Sequence, residues 1–236
     1  MSVIRALVRP MVALLTPFAL VMLGVRLLLT PGYLQLEYGR PGFPPDEYGF
    51  SDAERLRWGT FGITYLMNDS SPRFLGNLRF DTGEPVFTDA EVSHMRDVKA
   101  VLATLLRAWY SALALLALLG LWAWRTANWA TFRAGLRLGG LLTLAIAGVA
   151  AVLGTVGASG SGELFWSFFS RFHQLFFSGD SWLFNYSDTL IRLYPLRFWQ
   201  DTLLYIGLLV AGMALILAIG LGESARRTGA RGPESH

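Results

Sequence analysis

The sequence predicts an all-α integral membrane protein with four transmembrane helices and two extracytoplasmic loops that contain short interfacial helices. The first observation is composition: 53% of the 236 residues are hydrophobic and 16% are charged, whereas soluble domains carry about 25% charged residues. The second is clustering, because four nearly uncharged stretches are each long enough to cross a hydrocarbon core of about 30 Å. They lie at about residues 7–29, 100–124, 136–156 and 203–222.

The distribution of arginine predicts the orientation of these spans. Arginine is clustered before the first span, between the second and third, and after the fourth, at Arg5, Arg9, Arg125, Arg133, Arg137, Arg226, Arg227 and Arg231. Acidic residues outnumber basic ones in the two loops, residues 30–99 and 157–202. By the positive-inside rule, both termini are cytoplasmic and both loops are outside. A nucleic-acid partner is not predicted, because no continuous basic surface is present.

Turn and capping signals divide the first loop into shorter segments. We expect the whole chain, residues 1–236, to form a single membrane domain. Tyr33–Pro45 is rich in Gly and Pro and predicts irregular structure. Ser51–Glu54 and Thr88–Glu91 each have the pattern of a capping box, which starts a helix. The second of these helices is expected to continue without a break into the second span.

The second loop contains a dense group of aromatic residues. Such residues favour the bilayer interface, so we expect Glu163–Phe177 to form a helix on the outer membrane surface. Residues 178–180 break this helix. A short helix capped by Ser187 or Asp188 should follow, before the fourth span.

Two of the three histidines, His94 and His173, are expected on the same outer face of the membrane. Imidazole titrates near neutral pH and can take up or release a proton. Asp97 lies close to His94, and Asp180 and Asp188 follow His173. A carboxylate bonded to one ring nitrogen would fix the tautomer and leave the other nitrogen as a base.

Other interpretations of this histidine pair remain open. Both imidazoles could form only structural hydrogen bonds at the interface. Two histidines with one or two aspartates could also hold zinc, although no His-Glu-x-x-His pattern is present, and no metal is predicted. The absence of cysteine excludes a thiolate nucleophile.

Arg26 and Arg107 are charges well inside predicted spans, toward the outer leaflet. Charge at that depth is costly and is often functional. Either side chain could extend to the interface or contact a lipid phosphate or ester carbonyl. We therefore treat both as candidates for substrate binding.

Two motifs resemble those of a known bacterial membrane family. His94–Lys99 opens the second span, and Phe172–Phe177 is followed by Asp180–Phe184 and Asp188. Together with the order of the four spans, these motifs are similar to the family that contains the lipoprotein intramolecular transacylase. The resemblance covers nearly the whole chain.

The resemblance implies an acyltransferase of the bacterial cytoplasmic membrane, with its active site on the extracytoplasmic face. In that family an acyl chain moves from the sn-2 ester of a lipoprotein's diacylglyceryl-cysteine to the cysteine α-amine, which gives a lyso-form lipoprotein. The implied catalytic pair is His94 and His173. We expect supporting roles for Asp97, Asp180 and Asp188, and substrate contacts from Arg26, Arg107 and Trp182.

The implied partners are diacylated bacterial lipoproteins and membrane lipids. No cofactor, ATP or external acyl donor is expected, because tethering amine and ester in one molecule supplies a high effective concentration. Two alternative classes remain: a non-catalytic lipid-binding or scaffolding membrane protein, and a metal-dependent membrane hydrolase.

Overall fold

The structure is a computed structural model that describes residues 2–158, 163–177 and 179–229. The described residues are largely helical and contain no β-strand, although Arg79 and Pro85 form an isolated bridge. The helices are α1 (Ser2–Leu28), α2 (Pro31–Tyr38), α3 (Asp52–Met67), α4 (Arg73–Gly76), α5 (Asp89–Arg125), α6 (Trp129–Ala158), α7 (Glu163–Phe176), α8 (Thr189–Leu193) and α9 (Leu196–Gly229).

Four helical segments in the described residues are long and apolar enough to cross a membrane. They are Ala6–Leu28, Asp89–Arg125, Trp129–Ala151 and Leu196–Leu221. Each overlaps one of the stretches predicted from hydropathy. The predicted all-α membrane fold with four spans is therefore confirmed.

The first of two compact units contains the described parts of Met1–Val25, Leu106–Val156 and Tyr205–His236. Glycines allow close helix packing within it. A Cβ on Gly135 would lie 2.8 Å from the Cβ of Val12, and a Cβ on Gly140 would lie 2.8 Å from the carbonyl oxygen of Ala214. These glycines let α6 approach α1 and α9, as small residues commonly do between membrane helices.

The second unit contains residues 26–105 and the described parts of 157–204. Its hydrophobic core is formed by Trp58, Tyr65, Leu75, Val86, Phe87, Met95, Leu190 and Leu193. Met95, the residue after His94, is 5% exposed. The core thus fixes the start of α5 against α8. The assignment of the whole chain to one membrane domain stays a prediction.

Both predicted capping boxes form. At α3 the Ser51 hydroxyl accepts a hydrogen bond from the Glu54 backbone nitrogen over 3.3 Å, and Glu54 accepts one from the Ser51 backbone nitrogen over 2.8 Å. At α5 the equivalent distances between Thr88 and Glu91 are 3.2 and 2.8 Å. These bonds satisfy backbone donors that a helix leaves unpaired at its start.

The prediction of irregular structure over Tyr33–Pro45 was wrong for residues 33–38, which lie in α2, while residues 39–45 contain neither helix nor strand. Thr30 caps this helix by accepting a hydrogen bond from the Tyr33 backbone nitrogen over 3.3 Å, and Pro31 stands at its start, where proline is favoured. The Tyr38 hydroxyl donates to the carbonyl oxygen of Leu193 over 2.7 Å. This non-local bond between Tyr38 and Leu193 stabilises a helix that the local Gly and Pro content did not predict.

Candidate active site

Helix α5 holds His94 in its second turn. The capping box at Thr88 begins the helix, and the His94 side chain is buried, with 9% exposed. Its Nδ1 atom has no hydrogen-bond partner within the described residues. A buried polar atom without a partner is unusual and marks a place where a substrate group can bind.

Helix α7 and the turn after it hold His173. Phe169 lies one helical turn before His173, and their ring centroids are 4.0 Å apart. Gly179 adopts a left-handed conformation with φ of 62°, which glycine tolerates at low cost. The segment after Gly179 places the buried Trp182 ring with its centroid 4.9 Å from that of the His173 ring and the two planes 29° apart.

The two histidines lie together. Their ring centroids are 6.1 Å apart and their planes differ by 24°. Phe177 and Phe184 contact the His94 ring edge to face, at 5.1 and 5.4 Å. The pair is therefore enclosed by aromatic rings and is close enough for one substrate group to reach both imidazoles.

A backbone carbonyl fixes the tautomer of His173. Its Nδ1 lies 2.7 Å from the carbonyl oxygen of Phe169. A carbonyl oxygen only accepts, so Nδ1 carries the hydrogen and, in the neutral ring, Nε2 has the free lone pair. Burial lowers the pKa of His173 below its ordinary value, and the hydrogen bond to Phe169 partly opposes this effect.

The three candidate carboxylates do not hydrogen-bond to either histidine in the described part of the chain. Asp97 accepts from Arg96 over 3.1 Å, and Asp188 accepts from the backbone of Asn185 over 2.8 Å. Asp180 is exposed, and its backbone oxygen accepts from the Leu183 nitrogen. The tautomer-fixing bond expected from a carboxylate is made by the Phe169 carbonyl instead.

The two arginines suggested as substrate contacts occupy different settings. Arg26 lines a cavity of about 260 Å³ whose walls include the apolar side chains of Leu29, Ile63 and Met67. Arg107 is exposed on α5. Among the residues that the structure describes, no group of three His, Asp or Glu side chains is placed to hold a metal ion.

Sequence reasoning missed the direct role of three phenylalanines, Phe169, Phe177 and Phe184, which contact the histidine rings. It assigned the whole aromatic segment to the membrane interface. The available signal was spacing, because Phe169, His173 and Phe177 follow one another at intervals of four residues. Residues at that spacing share one face of a helix, so the histidine and its aromatic neighbours could have been grouped.

The fold defines a multi-pass integral membrane protein whose second unit brings together a buried histidine, His94, and a half-buried one, His173. The model of the lipoprotein intramolecular transacylase Lit family matches residues 11–199. The chain belongs to this family, and it is therefore an acyltransferase of the transacylase class.

The chain is similar to other proteins over most of its length. An uncharacterised protein of Aquifex aeolicus is 29% identical over 205 residues, which cover 87% of this chain and 88% of that protein. The in meso structure of the membrane-integral transacylase Lit from Bacillus cereus has a TM-score of 0.75 at 21% identity and covers 96% of this chain and 100% of its own. Its variant with one histidine replaced by alanine has a TM-score of 0.69 at 19% identity, covering 97% of each chain. At these identities the structures establish a shared fold.

Proposed function

We propose that this chain moves the sn-2 acyl chain of a lipoprotein's diacylglyceryl-cysteine to the cysteine α-amine, with His94 and His173 as the catalytic pair. The observation that carries the proposal is the 6.1 Å separation of the two imidazole rings inside an aromatic enclosure. Two imidazoles supply the proton transfer and charge stabilisation that acyl transfer from an ester to an amine requires.

His173 acts as the general base. Its Nδ1 hydrogen is held by the Phe169 carbonyl, so Nε2 is the nitrogen that accepts a proton. The amine attacks the ester carbonyl, a carbon–nitrogen bond forms, and the amine proton passes to Nε2. The same proton then passes to the departing sn-2 oxygen as the carbon–oxygen bond breaks. No proton is gained or lost overall.

His94 stabilises the oxyanion of the tetrahedral intermediate. A neutral imidazole can donate one hydrogen bond without taking part in proton transfer. Its buried position among Phe177 and Phe184 strengthens such a bond, because hydrogen bonds are electrostatically stronger at low local dielectric. Removal of one oxyanion donor typically lowers kcat by about 10²–10³-fold.

The substrate provides its own acyl donor. Closure of the amine onto the sn-2 ester passes through an eight-membered ring of cysteine and glycerol atoms. Tethered groups of this kind reach high effective molarities. The enzyme therefore needs to supply only orientation and proton transfer, and the reaction requires neither ATP nor a second lipid.

Substrate contacts come from Trp182 and the two arginines. Trp182 presents its ring beside His173 and would pack against the diacylglyceryl group. The Arg26 cavity joins one cation to apolar walls, a combination that suits an acyl chain with its ester carbonyl. Arg107, exposed on α5, would bind the phosphate or ester carbonyl of a lipid.

The three aspartates have supporting roles that do not require a bond to histidine. Asp97 would offset positive charge that develops at the site during proton transfer. The Asp188 carboxylate accepts a hydrogen bond within the loop that carries Trp182 and Phe184 and would shape that loop. Asp180 bonds there through its backbone oxygen, so its exposed carboxylate would act by its charge. The proposal places this site on the extracytoplasmic face of the bacterial cytoplasmic membrane, where diacylated lipoproteins are anchored.

The test is mass spectrometry of a purified diacylglyceryl lipoprotein incubated with the purified protein. The expected product has unchanged mass, an amide at the N-terminal cysteine, one remaining glycerol ester and a free sn-2 hydroxyl. Fragmentation must locate the acyl chain because intact mass does not change. Transfer of label from an added phospholipid would contradict the intramolecular route.

The same assay separates the alternative classes. Release of free fatty acid would indicate a hydrolase. An unchanged substrate with folded protein would favour a non-catalytic lipid-binding or scaffolding role.

A further inference from the structure

Glu91 is a fully buried carboxylate that accepts three hydrogen bonds. Its side chain is 0% exposed. One oxygen accepts from the backbone nitrogen and the hydroxyl of Thr88, over 2.8 and 3.0 Å. The other oxygen accepts from the backbone nitrogen of Leu190 over 2.6 Å. Glu91 of the α5 capping box thus also accepts a hydrogen bond from Leu190, a residue far along the chain.

Glu91 supplies a cap that α8 lacks locally. Asp188 stands at the N-cap position of α8 but makes no side-chain capping hydrogen bond. Helix starts leave backbone donors unpaired, and these need an acceptor when they are buried. The bond from the Leu190 nitrogen meets that need from another helix. A second link joins the same segments, as the Thr189 hydroxyl donates to the Val86 carbonyl oxygen over 2.5 Å.

The segment tied down in this way carries two aromatic contacts of the histidine pair. Trp182 packs on His173, and Phe184 packs on His94. Glu91 lies three residues before His94, in the first turn of α5. One carboxylate therefore joins the helix that bears His94 to the loop that encloses both histidines.

We propose that Glu91 is a positioning residue for transacylation, which sets the loop bearing Trp182 and Phe184 against His94. The proposal rests on the proposed function of the histidine pair. Glu91 does not touch the substrate. It acts through the geometry of the residues that do.

The chain offers a matched control in Glu54. Glu54 makes the same capping box at α3 with Ser51, but it is exposed and has no bond to a second helix among the residues that the structure describes. Glutamine has one acceptor oxygen and one donor nitrogen. At position 54 the oxygen can keep the cap and the nitrogen can face water. At position 91 both oxygens face donors, so Glu91→Gln must place a donor against a buried donor.

The experiment compares Glu91→Gln, Glu54→Gln and wild type, with kcat and KM measured at a temperature where circular dichroism finds all three folded. We expect kcat of Glu91→Gln to fall by about 10²-fold, since a displacement of about 1 Å can have that effect, with a smaller change in KM. Glu54→Gln should stay within about twofold of wild type. If Glu91→Gln keeps the wild-type kcat, or if both variants lose the same factor, the proposal is wrong.

A second variant and an NMR measurement test the positioning role of Glu91 independently of the first comparison. If Glu91→Gln does not fold, Thr189→Val removes the second link with a side chain of similar shape. A fall in kcat without a change in far-UV circular dichroism would support positioning, and an unchanged kcat would overturn it. Imidazole ¹⁵N resonances of His94 and His173 should move in Glu91→Gln and not in Glu54→Gln. Those resonances test positioning even if wild type lacks transacylase activity, so failure of the proposed function is distinguished from failure of this inference. Unmoved resonances in a folded Glu91→Gln protein would overturn it.

Discussion

The Nδ1 atom of His173 donates a hydrogen bond to the carbonyl oxygen of Phe169, 2.7 Å away and one turn earlier in α7. This bond assigns the free lone pair to Nε2. In serine hydrolases a carboxylate commonly performs the same task. Here a helix supplies the acceptor from its own backbone, so the basic nitrogen is set by local geometry and needs no charged partner.

Removal of either imidazole should abolish turnover. We expect His94→Ala and His173→Ala each to lower kcat by about 10²–10⁴-fold, the usual effect of losing a general acid, base or oxyanion donor. Membrane abundance should be unchanged. The measurement is conversion of a diacylglyceryl lipoprotein by purified variants. His236→Ala changes the third histidine of the sequence and is the matched control. Near-normal turnover in either site variant would contradict the histidine-pair mechanism.

The step in the kcat–pH profile that reflects protonation of His173 should lie below pH 6.5. Burial lowers the pKa of His173 from its ordinary value of 6.5, and the base works only when it is unprotonated. His173 therefore remains able to act as a base as the pH falls to 6.5 and loses this capacity as the pH passes through its lowered pKa. Thermal unfolding over the same range separates titration from denaturation. The cysteine α-amine must also be neutral to attack and has an ordinary pKa of about 7.7–8.0, so a ¹⁵N titration of the His173 imidazole separates the two groups. A His173 titration midpoint above pH 6.5 in folded protein would contradict the prediction.

Protein stability should depend on the protonation of Glu37. Its side chain is 1% exposed, and its Oε1 lies 3.9 Å from Nη2 of Arg40. Arg40 also forms an ion pair with Asp201, and Arg197 forms a second ion pair with Asp201. Burial raises the pKa of Glu37 from 4.5 to about 7, a hydrogen bond with Asp201 adds to this, and Arg40 opposes it.

The folded state therefore prefers protonated Glu37. Its stabilising contribution is present below pH 4.5 and is lost as the pH rises through about 7. Relative to Glu37→Gln, wild type should lose on the order of 2 kcal/mol of stability between pH 5 and pH 8. Thermal unfolding in detergent measures the difference. The exposed Glu47→Gln is the control, and equal pH dependence in wild type and Glu37→Gln would contradict the prediction.

Reporter fusions should reveal the orientation. Fusions after Gly32, Pro85 or Asp180 should be active outside the cytoplasm, and fusions at Asn128 or the C-terminus inside, because arginine clusters at the inner ends of the spans. Compartment-specific reporter activity is the measurement. An external Asn128 would reverse the orientation and move the histidine pair to the opposite face.

The sequence by itself determined the features that depend on local chemistry. Four spans follow from the length and hydropathy of single segments, and the helices at Ser51 and Thr88 follow from capping boxes that bond within four residues. The motifs around His94 and His173 were also visible, because a side chain's capacity for proton transfer belongs to the residue itself.

Only the tertiary structure decided the features that depend on contacts between distant segments. The ring centroids of His94 and His173 lie 6.1 Å apart only because the chain folds. The Phe169 carbonyl accepts the hydrogen bond that was expected to go to a carboxylate. Glu91 caps α8, a helix far along the chain. Helix α2 also formed where local composition predicted irregular backbone. Buried donors and apolar side chains take whichever partner the packed chain provides, and that partner's identity is not encoded in the residues adjacent to them.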